Sequence, residues 1–215
     1  MKKIIGYSVL GIIIFSICSP LVFAETQNIL FYGRSLGGIE DSLMKNYNIT
    51  KTQQIPHNLS DYSVVALITP ERSISPQEVS RLIAYVDAGG ALVLIGEDFT
   101  EAASMSQLNR LLSSLNITIN VDRLHDDVNY VDFNTRVLIQ GDRNYLPTTG
   151  VSKIVYPSGA TLRGTFDSIL RSNATSYSKN YDGFEVYSRG QRPPISGYIR
   201  HGEGVVLVLG DRSLF

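Results

Sequence analysis

Apolar and polar positions along the chain follow two periods, and the changes of period mark its elements. Asn28 to Tyr32 (NILFY) is almost continuously apolar, as expected of a strand buried on both faces. Gly38 to Lys45 then places Ile39 and Leu43 on one face of a short helix, and Ile49 to Gln54 alternates with the polar character of a sheet edge. Tyr62 to Thr69 (YSVVALIT) returns to a buried run. Ser75-Pro76-Gln77-Glu78 joins a capping serine, a proline at the first helical position and a glutamate at the third. Val79, Leu82, Ile83 and Val86 continue from it as one helix face, and Gly89-Gly90 supplies a left-handed stop.

Ala91 to Ile95 (ALVLI) is the next buried strand, and Glu101 to Leu115 a helix with Met105, Leu108, Leu112 and Leu115 turned inward. Asp122 to Arg136 is polar and reads as irregular. Short strands are expected at Val137–Gln140, Ser152–Tyr156, Ser168–Ser172 and Phe184–Ser188. Tyr198 to Arg200 leads through His201-Gly202-Glu203-Gly204 into the wholly apolar Val205 to Leu209. Strands alternating with amphipathic helices predict a layered α/β domain with a doubly wound, mostly parallel sheet and added β-hairpins in its C-terminal half. No internal repeat or low-complexity linker divides it.

The first residues follow a different logic. Lys2 and Lys3 precede an apolar run to Cys18, Ser19-Pro20 breaks it, and Val22-Phe23-Ala24 offers small residues for cleavage. Residues 1–24 are thus expected to be a secretory signal peptide, with a domain over 25–215; the competing reading is an uncleaved membrane anchor. Cleavage removes Cys18, the one cysteine, and leaves no disulfide, thiol nucleophile or thiolate metal site. It also leaves 17 basic against 20 acidic residues, with no basic footprint for nucleic acid. Contact with a membrane is expected only through an uncleaved signal segment. Sequons at Asn48, Asn58, Asn116 and Asn173 fit a glycosylated exterior.

Gly33-Arg34-Ser35-Leu36-Gly37 spells G-x-S-x-G after a strand and before a helix, the setting of a serine nucleophile. The chemistry also needs a histidine, an acid and an oxyanion amide from an earlier strand, yet only about ten residues of the mature chain precede Ser35. Ser35, Asp127 and His201 occur in the required order, with nothing to place them together. Ligands of open α/β sheets sit beyond the carboxyl ends of the strands. Those ends lead into Gly33–Gly38, Thr69–Ser73 and Gly96–Thr100, so the ligand-contact candidates are Gly33, Arg34, Ser35, Gly37, Gly38, Glu97 and Asp98. Arg34 and the turn amides would suit a small anion or sugar; the alternative is a turn with a structural role only. GRSLGG matches neither nucleotide-binding glycine motif, and no cofactor is expected. His125-Asp126-Asp127, with Asp122 and Asp132, reads as a solvated acidic loop, because its spacing matches no calcium or zinc pattern.

The string ITPERSISPQEVSRLIAYVDAGGALVLIGEDF, then LNRLLSSLNITI and the closing HGEGVVLVLGDRSLF, resembles exported relatives of the class I glutamine amidotransferase fold. LPTTGVSKIVYPSGATL is similar to their middle segment. The resemblance implies a flavodoxin-like sheet. Its relatives include auxiliary proteins of gliding-type ABC transport systems and an intraflagellar-transport subunit, and it implies a further helix after a motif that here ends at Phe215. True amidotransferases carry a cysteine after the strand corresponding to Ala91–Ile95, where this chain has Gly96-Glu97-Asp98, and their distal His-x-Glu pair has no counterpart. Glutamine hydrolysis by a thiolate is thereby excluded. The expectation is an exported, non-enzymatic binding or assembly module for an unknown protein or small ligand. A serine hydrolase using Ser35 and an anion or sugar receptor using Gly33–Gly38 remain its rivals.

Overall fold

The computed structural model describes residues 27–140 and 153–214. The expected signal segment 1–24 with Cys18, Ser152 at the head of one expected strand, and the terminal Phe215 lie outside the described residues.

A seven-stranded sheet forms the centre. β1 (Asn28–Gly33) lies between β2 (Asn48–Thr52) and β3 (Val64–Ile68), followed outward by β4 (Ala91–Ile95) and β15 (Gly204–Leu209), all parallel. β14 (Pro194–His201) and β11 (Asp167–Arg171) close the far edge antiparallel, so the order is β11-β14-β15-β4-β3-β1-β2. β3 and β4 are buried at every position because both sheet faces are covered.

The two faces carry different partners. Ile29, Phe31, Val93 and Leu207 pack against helix α1 (Gly38–Leu43) through Ile39 and Leu43, and against a layer of hairpins through Leu124, Val137 and Tyr156. Leu30, Leu67, Leu94 and Val208 face the opposite way, onto α2 (Pro76–Asp87) and α3 (Ala102–Leu112). Alternate residues of each strand thus feed alternate cores. α2 starts with the reciprocal serine–glutamate cap expected of it: Ser75 Oγ accepts from Glu78 N at 3.2 Å, and Ser75 N donates to Glu78 Oε2 at 2.8 Å. Gly89, at φ +101°, ends it in the left-handed region.

The irregular reading of 122–136 is corrected by the structure. β6 (Asp122–Asp126), β7 (Tyr130–Val131) and the long β8 (Phe133–Gln140) occupy it, with β8 pairing β9 (Lys153–Pro157). The acidic stretch is likewise no solvated loop, since Asp122 and Asp126 are fully buried on the inward face of β6. β5 (Ile117–Ile119) pairs β10 (Leu162–Gly164), and β12 (Ser176–Asn180) joins β6 to β13 (Glu185–Tyr187). Among the described residues no helix is long and apolar enough to cross a membrane.

Candidate functional site

The parallel strands run in the order β2-β1-β3-β4-β15, with connections that switch direction between β1 and β3. Their carboxyl ends at that point are the place where such sheets hold ligands. The G-x-S-x-G turn leaves β1 there and lines a hollow of about 350 Å³ formed by Phe31, Gly33, Arg34, Ser35, Glu40 and Lys51, among others.

Gly33 is required by its geometry. Its φ is +102°, and a Cβ would lie 2.2 Å from the carbonyl oxygen of Ile68 on β3. Arg34 N donates to that same oxygen at 2.7 Å, so the turn is laced to the neighbouring strand. On the β3 side Thr69 is fully buried at φ +40°, an uncommon backbone state for a β-branched residue.

The turn's polar groups are used by the chain itself. Leu36 N donates to Glu40 Oε1 at 2.6 Å, and Gly37 N to Ser35 Oγ at 3.0 Å. Glu40 is buried, accepts from Lys51 on β2, and takes a hydrogen bond from the Ser35 hydroxyl. Burial opposes its ionisation, but the bonds from Lys51, Leu36 and Ser35 outweigh it and hold the carboxyl below its usual range. An internal carboxylate therefore sits where a bound anion would sit. Gly38 opens α1 and hangs in open space, with no contact for an added Cβ.

Glu40→Gln tests this arrangement. A carboxyl whose folded pKa is depressed contributes stability above its unfolded value, near 4.5, and loses it as pH falls through the folded value. The substitution should cost about 1–2 kcal/mol at pH 7 and progressively less as pH falls below 4.5, read from urea midpoints across that range.

The other carboxyl ends carry matched charges. Arg34 pairs with Glu71 (2.9 Å) and Glu101 (2.6 Å), Arg72 with Glu78 (2.5 Å), and Glu97 with Arg212 (2.5 Å). Asp98 is buried, accepts from Thr100 N at 2.8 Å and from Arg123 Nε at 2.7 Å, and so caps the turn into α3. The Arg123 guanidinium also lies 4.3 Å from the Phe99 ring centroid. Glu97 and Asp98 thus lie at the strand ends with Arg34, and each is bound to an arginine of this chain.

Asp211, which follows β15, went unnoticed in the sequence. It is buried, accepts from Ser213 N at 2.7 Å through Oδ1, and its Oδ2 has no partner among the described residues. Burial pushes its pKa up to about 7, against the Ser213 hydrogen bonds and with the help of the Glu97 and Asp98 charges. Glu71, Glu101, Arg123 and Arg212 also escaped notice. Their partners lie 25 to 115 residues away, so no local spacing announces them.

The structure does not bring Ser35, Asp127 and His201 together. Asp127 accepts from Asn134 at 2.8 Å and pairs with Arg189, while His201 Nε2 lies 3.3 Å from Asp87 at the far end of the strands. His57 meets Arg81, and His125 stacks on Tyr177 with ring centroids 5.3 Å apart. Among the sequons, Asn48, Asn58 and Asn116 are exposed. Asn173 is half-buried, and its amide nitrogen donates to Asp126 Oδ2 and Leu138 O, both at 3.0 Å. A glycan there would replace one of the two amide hydrogens and so break one of these bonds. Among the described residues no group of three histidine or carboxylate side chains is placed to hold a metal ion.

No protein-family model matches the chain, and no curated protein sequence does. Solved structures do. The mmIFT52 N-terminal domain is similar at 21% identity over 87% of both chains, with a TM-score of 0.71. A ThuA-like protein from Bacteroides uniformis ATCC 8492 is similar at 13% identity over 92% of this chain and 88% of that one, with a TM-score of 0.53. The likeness is one of fold, a flavodoxin-like sheet of the glutamine amidotransferase-like kind.

Proposed function

We propose that the chain is an exported binding or assembly module rather than an enzyme, acting outside the cytoplasmic membrane as an accessory to a transport or surface complex. The observation that carries this reading is the state of the Ser35 turn. Its serine hydroxyl and the Leu36 and Gly37 amides are engaged within the chain, and Glu40 fills the position an oxyanion would need. A nucleophilic serine needs a base in hydrogen-bond reach. The carboxylate beside Ser35, Glu40, is taken up by Lys51 and Leu36 N and held below its usual range, and none of the three histidines, each in contact with another residue, supplies a base to Ser35. The same engagement argues against the turn as an anion receptor. Export rests on the Lys2-Lys3 start, the apolar run and Ala24.

Expression of the full chain with a C-terminal tag, followed by fractionation and N-terminal sequencing, tests the export half. Recovery outside the cytoplasm with Glu25 as first residue is the expected result. Unprocessed chain in the cytoplasm would contradict it.

A further inference from the structure

Beyond β15 the chain enters a short 3-10 turn, Arg212–Leu214, at the carboxyl end of the sheet. The turn packs against β9 and sets Leu214, half-buried, on the core shared by α1 and the hairpins. Arg212 Nε donates to Glu97 Oε2 at 2.5 Å. Ser213 N donates to Asp211 Oδ1 at 2.7 Å, and the Ser213 hydroxyl bonds the same carboxyl. Asp211 therefore folds the turn, yet only one of its two oxygens is satisfied, and the buried Oδ2 has no partner among the described residues.

The groups packed around Asp211 supply acid and no free cation. Glu97 and Asp98 approach from the end of β4, and their charges oppose a further one. Tyr156 of β9 closes the other side: a Cβ at Gly159 would lie 2.4 Å from both Asp211 Cβ and the Tyr156 hydroxyl. That tyrosine is fully buried among Asp98, Asp211 and Asp122 of β6, and its hydroxyl already donates to Ala160 O at 2.5 Å. The two nearby guanidiniums are taken, Arg212 by Glu97 and Arg123 by Asp98. No cation pairs with Asp211 among the described residues.

A carboxyl group in such a place either keeps its proton or must reach water. The shortest way to water is local. Release of residues 211–214 breaks one ion pair, the Ser213 bonds and the packing of one half-buried leucine. The ladders of β15 to β4 and β14 end at Leu209, before the turn, and stay intact. Segments held by so few buried contacts open well before the fold as a whole.

We propose that the 211–214 turn is a proton-operated latch, closed while Asp211 holds its proton and released when Asp211 gives it up. Opening takes Arg212 away from Glu97 and brings the Asp211 carboxylate into water beside it. The strand-end surface thus gains two unpaired negative charges as pH rises. The latch involves no group of the Ser35 turn, so it stands or falls independently of the function proposed above.

Amide hydrogen exchange of the full chain tests it, followed residue by residue by NMR from pH 5 to pH 8 and corrected for the intrinsic pH dependence of exchange. Opening coupled to the loss of one proton lowers the ratio of closed to open turn about tenfold per pH unit. Protection of the Ser213 amide should fall at that rate until it is lost, while the Val206 and Val208 amides of β15 stay protected throughout. In Asp211→Asn, which cannot ionise, Ser213 should stay protected with no dependence on pH. The carboxyl carbon resonance of Asp211 in the parent is a second measurement that needs no variant, and it should titrate with the midpoint of the opening. Ser213 protection that ignores pH, an equal fall in Asp211→Asn, loss of protection at Val206 and Val208 together with Ser213, or a carboxyl midpoint apart from that of the opening would overturn the proposal.

Discussion

Replacing Asp126 with alanine is expected to lower the stability of the chain by about 3 kcal/mol or more, the largest loss for any single polar side chain in the hairpin layer. The carboxylate is fully buried and accepts five hydrogen bonds. Oδ1 takes Val128 N and Asn129 N, both at 2.9 Å; Oδ2 takes Asn173 Nδ2 (3.0 Å), Thr175 Oγ1 (2.7 Å) and Ser176 Oγ (2.9 Å). Burial opposes ionisation, but these donors, led by Asn129 N and Asn173, bring the pKa down to about 2. Alanine strands them without an acceptor, and a donor buried without a partner costs more than the bond it made. Because β6, the turn after it and β12 meet at this carboxylate, the whole layer over α1's face of the sheet loosens. For a domain of this size the loss corresponds to a fall in Tm of about 6 °C or more. Differential scanning calorimetry at pH 7 measures it, and a fall of only a degree or two would mean the network is not what holds the layer.

Asp211→Asn should act in the opposite direction. The native carboxyl titrates near 7 and the unfolded one near 3.8. Between these values the folded state binds more protons than the unfolded, so stability falls as pH rises from about 4 to about 7 and the full penalty applies above. A shift of this size corresponds to about 4 kcal/mol. Asparagine keeps the Oδ1 acceptor for Ser213 N and carries no charge, so the variant should be more stable than the parent at pH 8 by up to that amount, and no more stable at pH 3. Urea midpoints of both proteins across this range measure the difference. A gap that does not widen between pH 4 and 7 would place Asp211 in contact with solvent or a partner.

Asp126 also explains where reading the sequence fails. The parallel sheet and its helices were legible, because β3 and β4 are apolar throughout, β1 and β15 nearly so, and α2 announces itself with its cap and its stripe. β6 hid because two of its three inward residues are carboxylates, Asp122 and Asp126, flanking Leu124. Alternation is recognised by hydropathy, and here polarity on the inward face is satisfied in large part by donors 39 to 50 residues away, such as Thr161 and Ser176. β12 hid likewise, with Ser176 and Ser178 fully buried. At the turn, the glycines and Ser35 were visible as a motif, and Gly33 does sit at a strand end with positive φ. The motif did not disclose Glu40, whose pairing with Lys51 depends on how β2 lies beside β1.

The claim on which the functional reading rests is that Ser35 is a structural member of its turn and no nucleophile. Incubation of the folded full-length chain with a fluorophosphonate probe, beside Ser35→Ala, tests it most directly. Neither protein should become labelled at a rate above that of a heat-unfolded control. Labelling of the folded parent that disappears in Ser35→Ala would contradict the reading and make the chain a serine hydrolase.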